Sequence, residues 1–392
     1  PLHIAAQYGM YALIHALPTT LEATPETTAN YGLAALHLSA QHGHTNFTQW
    51  LLSSSAIEGD TQDSLGKTAL MKAAAEGHRD IVELLLNCTS VNSDAKDGRG
   101  KTALMRAAAW GNVDCLKLLL LRTRDPNSMD DRGSCALTKA AFWGRVETLQ
   151  ALLSDPRIDV DQHRRPNGEE RGSETALMVA AVYGRDKIVN LLLRHPKIDP
   201  SICDRKRRTA FMKAASRGHV SCLRLLLEFF KDASDGFLQS PSPTDSNTAG
   251  HTYKFDINAL DRQRETALFK ACSWCQSETV SLLLDLAGVD LNIRNNFGET
   301  ALSRACYKGH IDVVRLLLDH NRGQAASLEI RNAIGDTAVA RAAEQGHTEI
   351  VCMLLARGAN STNRNEQGQT AFSKAVKRGH HECARMLLES GG

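Results

Sequence analysis

This chain lacks long apolar runs and an excess of charge of one sign, and both absences narrow its function. No stretch approaches the roughly 20 apolar residues of a membrane-spanning helix, so no span is predicted. Lysine and arginine number 46 against 44 aspartates and glutamates, so the net charge is too small to attract the chain to nucleic acid or a membrane surface. No secretory signal peptide is visible, and because the sequence opens at Pro1 instead of methionine, we expect the natural N-terminus to be missing.

The ten cysteines also lack the pattern of a disulfide framework. Cys115, Cys222 and Cys383 stand at an apolar position of a repeat described below, and Cys272 and Cys306 at an alanine position. Small buried fillers of this kind fit a reducing cytosol. We therefore expect a cytoplasmic protein, free or associated with the cytoskeleton.

What the chain does have is an internal repeat. Segment 66–78, Gly-Lys-Thr-Ala-Leu-Met-Lys-Ala-Ala-Ala-Glu-Gly-His, returns 34 residues later as Gly-Lys-Thr-Ala-Leu-Met-Arg-Ala-Ala. Anchored on the Leu70 position, the pattern predicts eleven units, spaced by 34, 34, 34, 33, 40, 34, 57, 34, 37 and 33 residues. No single unit could bury its own apolar face, so the units must stack. The anchors are Leu2, Leu36, Leu70, Leu104, Leu137, Leu177, Phe211, Leu268, Leu302, Val339 and Phe372.

Each unit is predicted to hold two short helices. Thr68 is suited to cap the first helix, in which Leu70 and small alanines share one face. Gly77 suits the left-handed conformation that ends a helix. The second helix would bury Ile81 and the leucines that follow it.

A tight turn is predicted between successive units, marked by Asp63 and, three residues later, Gly66. The turn glycine is replaced at Ser173, Arg207 and Arg264. We expect these three turns to differ in shape from the others.

The segments Pro-Leu-His-Ile-Ala at 1–5 and Leu-His-Leu-Ser-Ala at 36–40 resemble the ankyrin-repeat family, whose signature is T-P-L-H-x-A. Thr-Ala-Leu-Met at Thr68 and Thr102 is similar to the form found in ankyrin proteins of flagellated protists, some of which carry a NIMA-related kinase domain. The resemblance covers essentially the whole chain. It implies an all-α ankyrin-repeat solenoid of about eleven helix-turn-helix units joined by short hairpins, and it says little about the partner.

Two spacings exceed the period and indicate insertions. The 40-residue step adds a polar extension around 162–170, and the 57-residue step adds a segment containing Ser240 and Ser242. The second segment is too polar to order itself. Its serines, each followed by proline, are candidate phosphorylation sites, and a neutral surface insertion is the alternative. The predicted domains are repeats 1–7 over 1–228, with the first truncated, a flexible insertion over 229–255, and repeats 8–11 over 256–392.

Motifs that imitate chemistry belong to the repeat. The kinase-like triplet 78–80 lacks the asparagine five residues later, where Leu85 stands. The Gly-Lys-Thr at 100–102 lacks the earlier glycine of a phosphate-binding loop. We therefore predict no catalytic residue, cofactor or metal site. Six histidines follow the helix-ending glycine position, where hydrogen bonding to the turn is expected: His44, His78, His219, His310, His347 and His380.

Two positions after the anchor, eight of nine units carry a cation, and Val179 is the exception. This position lies roughly opposite the buried face, so exposure is predicted. The resemblance to ankyrin arrays implies that it lines the concave surface. Such a stripe would steer an acidic partner, although screening at physiological salt makes each charge weak; the alternative is that Lys and Arg are simply good exposed helix formers. The stripe cations are Lys72, Arg106, Lys139, Lys213, Lys270, Arg304, Arg341 and Lys374.

Four residues after the stripe position lies a slot that the repeat leaves free. It holds Trp110, Trp143, Tyr183 and Trp274, and Phe142 precedes Trp143. Cation–aromatic pairs one turn apart are expected with the stripe cations. Exposed aromatics beside arginine are typical of interface hot spots; the alternative is that neighbouring turns cover the rings. The predicted partner-binding residues are these five aromatics, the eight stripe cations, and the basic residues that later units place in the slot, Lys308 and Arg378.

The sequence thus predicts a non-catalytic, monomeric scaffold or adaptor that binds a protein, with an acidic segment, through its concave groove and hairpin tips. The alternative is the targeting or regulatory region of a longer protein kinase whose catalytic domain precedes Pro1. Nucleic-acid binding is disfavoured by the near-neutral charge balance.

Overall fold

The computed structural model describes residues 2–10, 34–53, 58–163, 174–235, 255–320 and 326–390. These ranges contain 21 α-helices and no β-strand. Eleven are first helices of a repeat, and ten of them are followed by a second helix. The predicted all-α repeat fold is confirmed. Residues 164–173, which include most of the polar extension predicted around 162–170, and the two serines of the long insertion lie outside the described residues.

The chain divides into two compact units. Unit 1 comprises Pro1–Ala180 and Lys187–Ile198, and unit 2 comprises Ala181–Asp186 and Asp199–Gly392. Two helices, α10 (Ala176–Val182) and α11 (Asp186–Leu193), have residues in both units.

In unit 1 the first helix of each repeat packs on the first helix of the next, as α4 does on α6 and α6 on α8. Second helices form a parallel layer in which α5 contacts α7 and α7 contacts α9. The helices are α1 (Leu2–Tyr8), α2 (Ala35–His42), α3 (Thr45–Ser53), α4 (Ala69–Glu76), α5 (Arg79–Leu86), α6 (Ala103–Trp110), α7 (Val113–Arg122), α8 (Ala136–Trp143) and α9 (Val146–Leu153).

Unit 2 repeats the arrangement, with α12, α14, α16, α18 and α20 packed in succession. Alanines of these helices are buried, so the backbones approach closely. The helices are α12 (Ala210–Arg217), α13 (Val220–Asp235), α14 (Ala267–Ser273), α15 (Ser277–Leu284), α16 (Ala301–Lys308), α17 (Ile311–Asp319), α18 (Ala338–Gln345), α19 (Thr348–Ala356), α20 (Ala371–Arg378) and α21 (His381–Glu389).

The predicted helix ends are confirmed. The Thr68 hydroxyl accepts a hydrogen bond from the backbone N–H of Met71 at 3.3 Å, which satisfies one of the free donors at the start of α4. Gly77 ends α4 with φ of 84°. At the equivalent Gly43, a Cβ would lie 2.7 Å from the ring of His78 in the next repeat. The helix-ending glycine therefore serves both the backbone conformation and the approach of the neighbouring repeat.

Two of the three turns that lost their glycine keep the shape of the others. Arg207 and Arg264 adopt φ of 58° and 60°, beside 72° for Gly66. Their N–H groups donate to Asp204 O at 2.8 Å and Asp261 O at 2.9 Å, the same bond that Gly66 makes. The predicted difference in shape is therefore wrong at these two positions. The left-handed backbone conformation costs each arginine about 1–2 kcal/mol. Ser173 lies outside the described residues.

The structure describes both ends of the insertion predicted over 229–255. Helix α13 continues to Asp235, so residues 229–235 are helical. At the other end, the ring of Phe255 stacks on Phe230 at 4.6 Å and meets Phe211 edge-on at 5.1 Å. Both segments belong to unit 2. Residues 236–254 lie outside the described part of the chain.

All ten cysteines are free thiols. The five that occupy repeat positions are buried, which confirms them as core fillers. Burial raises the pKa of Cys115 and Cys222 to about 11. Cys275 holds the helix-ending position with φ of 56°, as expected from its place in a glycine slot.

Candidate functional site

The stripe cations do not point into solvent. Their side chains range from 4% exposed for Lys213 to 28% for Arg304. Each cationic head lies beside a carboxylate of an inter-repeat turn or of the residues just after it. The predicted exposure is wrong because a long side chain on the outer helix face can fold back to neutralise a buried acid. Val179 is buried as well.

In five of the described turns one aspartate performs two tasks. Asp63 Oδ1 accepts hydrogen bonds from the backbone N–H groups of Leu65 at 2.9 Å and Lys67 at 2.8 Å, which fixes the turn. Its Oδ2 lies 3.2 Å from Lys72 Nζ. The same division holds for Asp97 with Arg106, Asp130 with Lys139, Asp204 with Lys213 and Asp261 with Lys270.

In two later repeats the turn residue is asparagine and the acid stands four residues later. Asn295 Oδ1 accepts from the N–H groups of Phe297 and Glu299, both at 2.9 Å, so the turn is retained. The Glu299 carboxylate then bridges Arg304 at 3.3 Å and Arg341 at 2.9 Å. Asn332 fixes its turn in the same way, and Asp336 supplies the carboxylate, which pairs with Lys374 of the following repeat.

The carboxyl pKa is lowered at three of these turn acids, Asp63, Asp97 and Asp204, although burial opposes their ionisation. Burial of Asp204 opposes ionisation, but hydrogen bonds from the side chain and backbone of Arg208 and from Lys213 outweigh it and lower the pKa of Asp204 to about 2. The pKa of Asp97 is also lowered, since the N–H groups of Lys101 and Arg99 and the Arg106 guanidinium outweigh burial. The stripe cations are therefore internal counter-ions.

The aromatic residues are exposed as predicted. Trp110 ends α6 and Trp143 ends α8, and the two side chains are 61% and 53% exposed. Phe142 is half-buried and meets the Trp143 ring edge-on at 5.0 Å. In unit 2, Tyr183 and Trp274 are exposed too.

In the described residues, the predicted pairs of a stripe cation with the tryptophan one turn later do not form. The heads of Arg106 and Lys139 are held at Asp97 and Asp130 instead. A stack of this kind joins a different pair, Arg341 and Tyr307, with the guanidinium carbon 3.8 Å from the ring centroid.

The predicted basic extension of unit 2 is largely neutralised. The Glu344 carboxylate lies 3.2 Å from the Arg341 guanidinium, 3.1 Å from Lys374 Nζ and 3.1 Å from the Arg378 guanidinium. Arg378 and Lys308 are exposed. Of the predicted basic residues, these two present the most charge to solvent.

The six histidines make the expected hydrogen bonds, and these connect neighbouring repeats. His78 Nε2 donates to Gln41 O at 3.0 Å, and His380 Nε2 donates to Glu344 O at 3.1 Å. His44, His219, His310 and His347 make the same bond to the preceding repeat. Within the described ranges no group of three or more His, Cys, Asp or Glu side chains could hold a metal ion, and no described helix is long and apolar enough to cross a membrane.

Sequence reasoning missed two features of unit 1. Tyr8 is exposed at the end of α1, in the same slot as Trp110; its place six residues after an anchor could have revealed it. A pocket of about 430 Å³ also lies between two successive inter-repeat turns. It is lined by Ser64, Leu65, Gly66, Lys67, Asp97, Gly98, Arg99, Lys101 and Arg106.

Comparison with protein families matches "Ankyrin repeats (3 copies)" to residues 2–97, 88–164, 124–204, 161–235, 177–252, 243–327 and 324–392. A search of curated proteins found no match. Because the matched segments together extend from residue 2 to residue 392, the chain belongs to the ankyrin-repeat family.

Proposed function

We propose that this chain is a non-catalytic, monomeric scaffold or adaptor of the cytoplasm, and that it binds a protein partner through an aromatic patch of unit 1. The patch consists of Trp110, Phe142 and Trp143. The observation that carries the proposal is the exposure of two tryptophans at the ends of two helices that pack on each other. Clustered exposed aromatics on a soluble domain are typical of protein interaction sites.

The geometry suits a partner side chain. Packed helices lie about 8–10 Å apart, so a ring at the end of each leaves room for one apolar group between them. The edge-on contact with Phe142 restricts the orientation of the Trp143 ring. Burying the exposed half of one such ring stabilises a complex by about 2 kcal/mol.

The remaining predicted partner-binding residues take a lesser part. Tyr183, Trp274, Lys308 and Arg378 are exposed in unit 2 and are proposed as further contacts. The stripe cations are already paired, so we assign them to the stability of the repeats and to the charge of the groove.

The test is capture of partners from the native cell by proximity labelling or affinity purification. Proteins enriched by the wild type should be lost with the double variant Trp110→Ala/Trp143→Ala, whose thermal midpoint should stay within about 2 °C because neither ring is core. The matched control is Leu121→Ala, which removes another exposed apolar side chain of unit 1. Equal capture by the double variant, or its unfolding, would refute the patch.

A further inference from the structure

The residue four positions after the turn aspartate or asparagine differs in charge from repeat to repeat. In unit 2 it is acidic in three successive repeats, as Glu265, Glu299 and Asp336. Each of these carboxylates pairs with a stripe cation, as Glu265 does with Lys270 at 2.9 Å. In these three repeats the position therefore places a carboxylate beside the stripe cations, whereas Arg208 and Gln369 stand at the same position elsewhere in unit 2.

In unit 1 the repeat after Asp130 has Ser134 at this position, but the two repeats before it hold Lys67 and Lys101. Both side chains are half-buried, and among the described residues neither ammonium has an ion-pair partner. Burial lowers the pKa of Lys67, and the nearby charges of Arg106 and Lys72 lower it further. Burial and the charges of Lys139 and Arg106 act on Lys101 in the same way.

Both lysines line the pocket between the two turns, together with Arg99 and Arg106. Asp97 is the one acid that lines the pocket, and both of its carboxylate oxygens already have partners. Its Oδ1 accepts the N–H groups of Arg99 and Lys101, each at 2.8 Å, and its Oδ2 holds Arg106. Within the described part of the chain, three cations of the pocket are thus left without a carboxylate partner: Lys67, Arg99 and Lys101.

We propose that this pocket binds a side-chain carboxylate from an acidic segment of a protein partner. The incoming carboxylate takes the role that Glu299 has in unit 2, where one carboxylate bridges two cations. The inference deepens the proposed function, on which it rests for the protein nature of the partner, and it moves the acidic contact from the stripe cations to the two turn lysines.

A carboxylate fits the pocket better than the phosphates of a nucleic acid. Unit 2 fills the equivalent position with carboxylates of ordinary side-chain length. The exposed apolar residue at the pocket is Leu65, and no aromatic side chain lines it. Single-stranded nucleic acids are bound by stacking their bases on aromatic rings, for which this pocket offers no surface.

The test uses a fluorescein-labelled peptide of eight glutamates, with a peptide of eight glutamines as the neutral probe, in fluorescence anisotropy at low salt. Lys67→Gln/Lys101→Gln should weaken binding of the glutamate peptide by about tenfold. Lys117→Gln/Arg124→Gln removes the same charge from exposed positions of unit 1 and should change it less than about twofold. Equal loss in both double variants, or no loss in the first, would overturn the proposal.

A second variant places a carboxylate in the pocket as part of the chain itself. Lys101→Glu should abolish binding of the glutamate peptide and raise the thermal midpoint, because the new side chain can reach Arg106 as Glu299 reaches Arg304. A lower midpoint, or retained binding, would contradict the assignment. A labelled twelve-nucleotide oligothymidine that binds more tightly through the same lysines would also overturn it.

The glutamate peptide carries no aromatic or apolar group, so Trp110→Ala/Trp143→Ala should bind it as the wild type does. Loss of cellular partners with unchanged peptide binding in that variant supports both proposals. Failure of the peptide experiment alone leaves the aromatic patch standing.

Discussion

Lys72 and Asp63 are nine residues apart in sequence, and their side chains meet at 3.2 Å. The pair ties the first helix of a repeat to the turn that precedes it. The same carboxylate also fixes the backbone of that turn, so the turn geometry and the direction of the helix cation depend on one residue. Where the turn residue is asparagine, as at Asn295, the two tasks are divided between two residues.

This division predicts a rescue. Asp97→Asn should keep the turn, since an amide oxygen accepts the same two N–H groups, and should destabilise the chain by about 1–3 kcal/mol because Arg106 loses its acid. Adding Lys101→Glu should recover at least half of the loss, reproducing the arrangement of Asn295 and Glu299. Urea unfolding of the four members of the cycle measures the coupling; strictly additive effects would show that the two positions do not share the cation.

Two glycines of unit 2 separate backbone strain from steric contact. Gly346 and Gly379 both end a first helix with φ of 77°. A Cβ on Gly346 would lie 2.5 Å from Nδ1 of His380, whereas one on Gly379 would have no neighbour within 4 Å. Gly379→Ala should therefore cost about 1 kcal/mol of stability, from the left-handed backbone alone.

Gly346→Ala should cost at least about 1 kcal/mol more, since the imidazole must move away from Glu344 O. Thermal unfolding of both variants measures the difference. Equal midpoints would mean that the histidine ring adjusts freely and that its hydrogen bond to the preceding repeat contributes little.

Phe255 is predicted to anchor the end of the long insertion to unit 2. Phe255→Ala should lower the free energy of unfolding by about 1–3 kcal/mol because it empties the space beside Phe211 and Phe230. The control is Phe297→Ala, an exposed ring in the same unit, which should change stability by less than about 0.5 kcal/mol. If both variants unfold at the wild-type urea concentration, the ring cluster does not contribute to the core.

The stability of the fold should depend on pH through His37. Its Nδ1 accepts the N–H of Ala34 at 3.2 Å and its Nε2 donates to Lys67 O at 2.9 Å, an arrangement open only to the neutral ring. Burial is the largest cause of its pKa being lowered from 6.5. Below pH 6.5 the unfolded chain thus binds more protons than the folded one, and stability falls as the pH drops towards the folded pKa.

Urea unfolding at pH 7.5 and pH 5.5 measures this loss. Replacing the ring in His37→Gln should lower stability at pH 7.5 and shrink the difference between the two pH values. An undiminished difference in the variant would assign the pH dependence to other groups.

The sequence by itself determined the repeat fold, the helix boundaries, the buried cysteines and the exposed tryptophans. These features follow from periodicity and from residues that interact within a few positions. Thr68 caps its own helix, Gly77 ends it, and Trp110 stands in a slot that the packing of the repeat leaves free. Local physical chemistry is sufficient for each of them.

Only the tertiary structure decided which cations remain free. Arg341 pairs with Glu299, 42 residues away, and Lys374 with Asp336, 38 residues away, and no helical period encodes such a meeting. A long flexible side chain points to the nearest carboxylate that can be neutralised, and the location of that carboxylate depends on how successive turns stack. For this reason the stripe predicted as a binding surface is internal, and we propose Lys67 and Lys101 in its place as the lysines that bind an acid from outside.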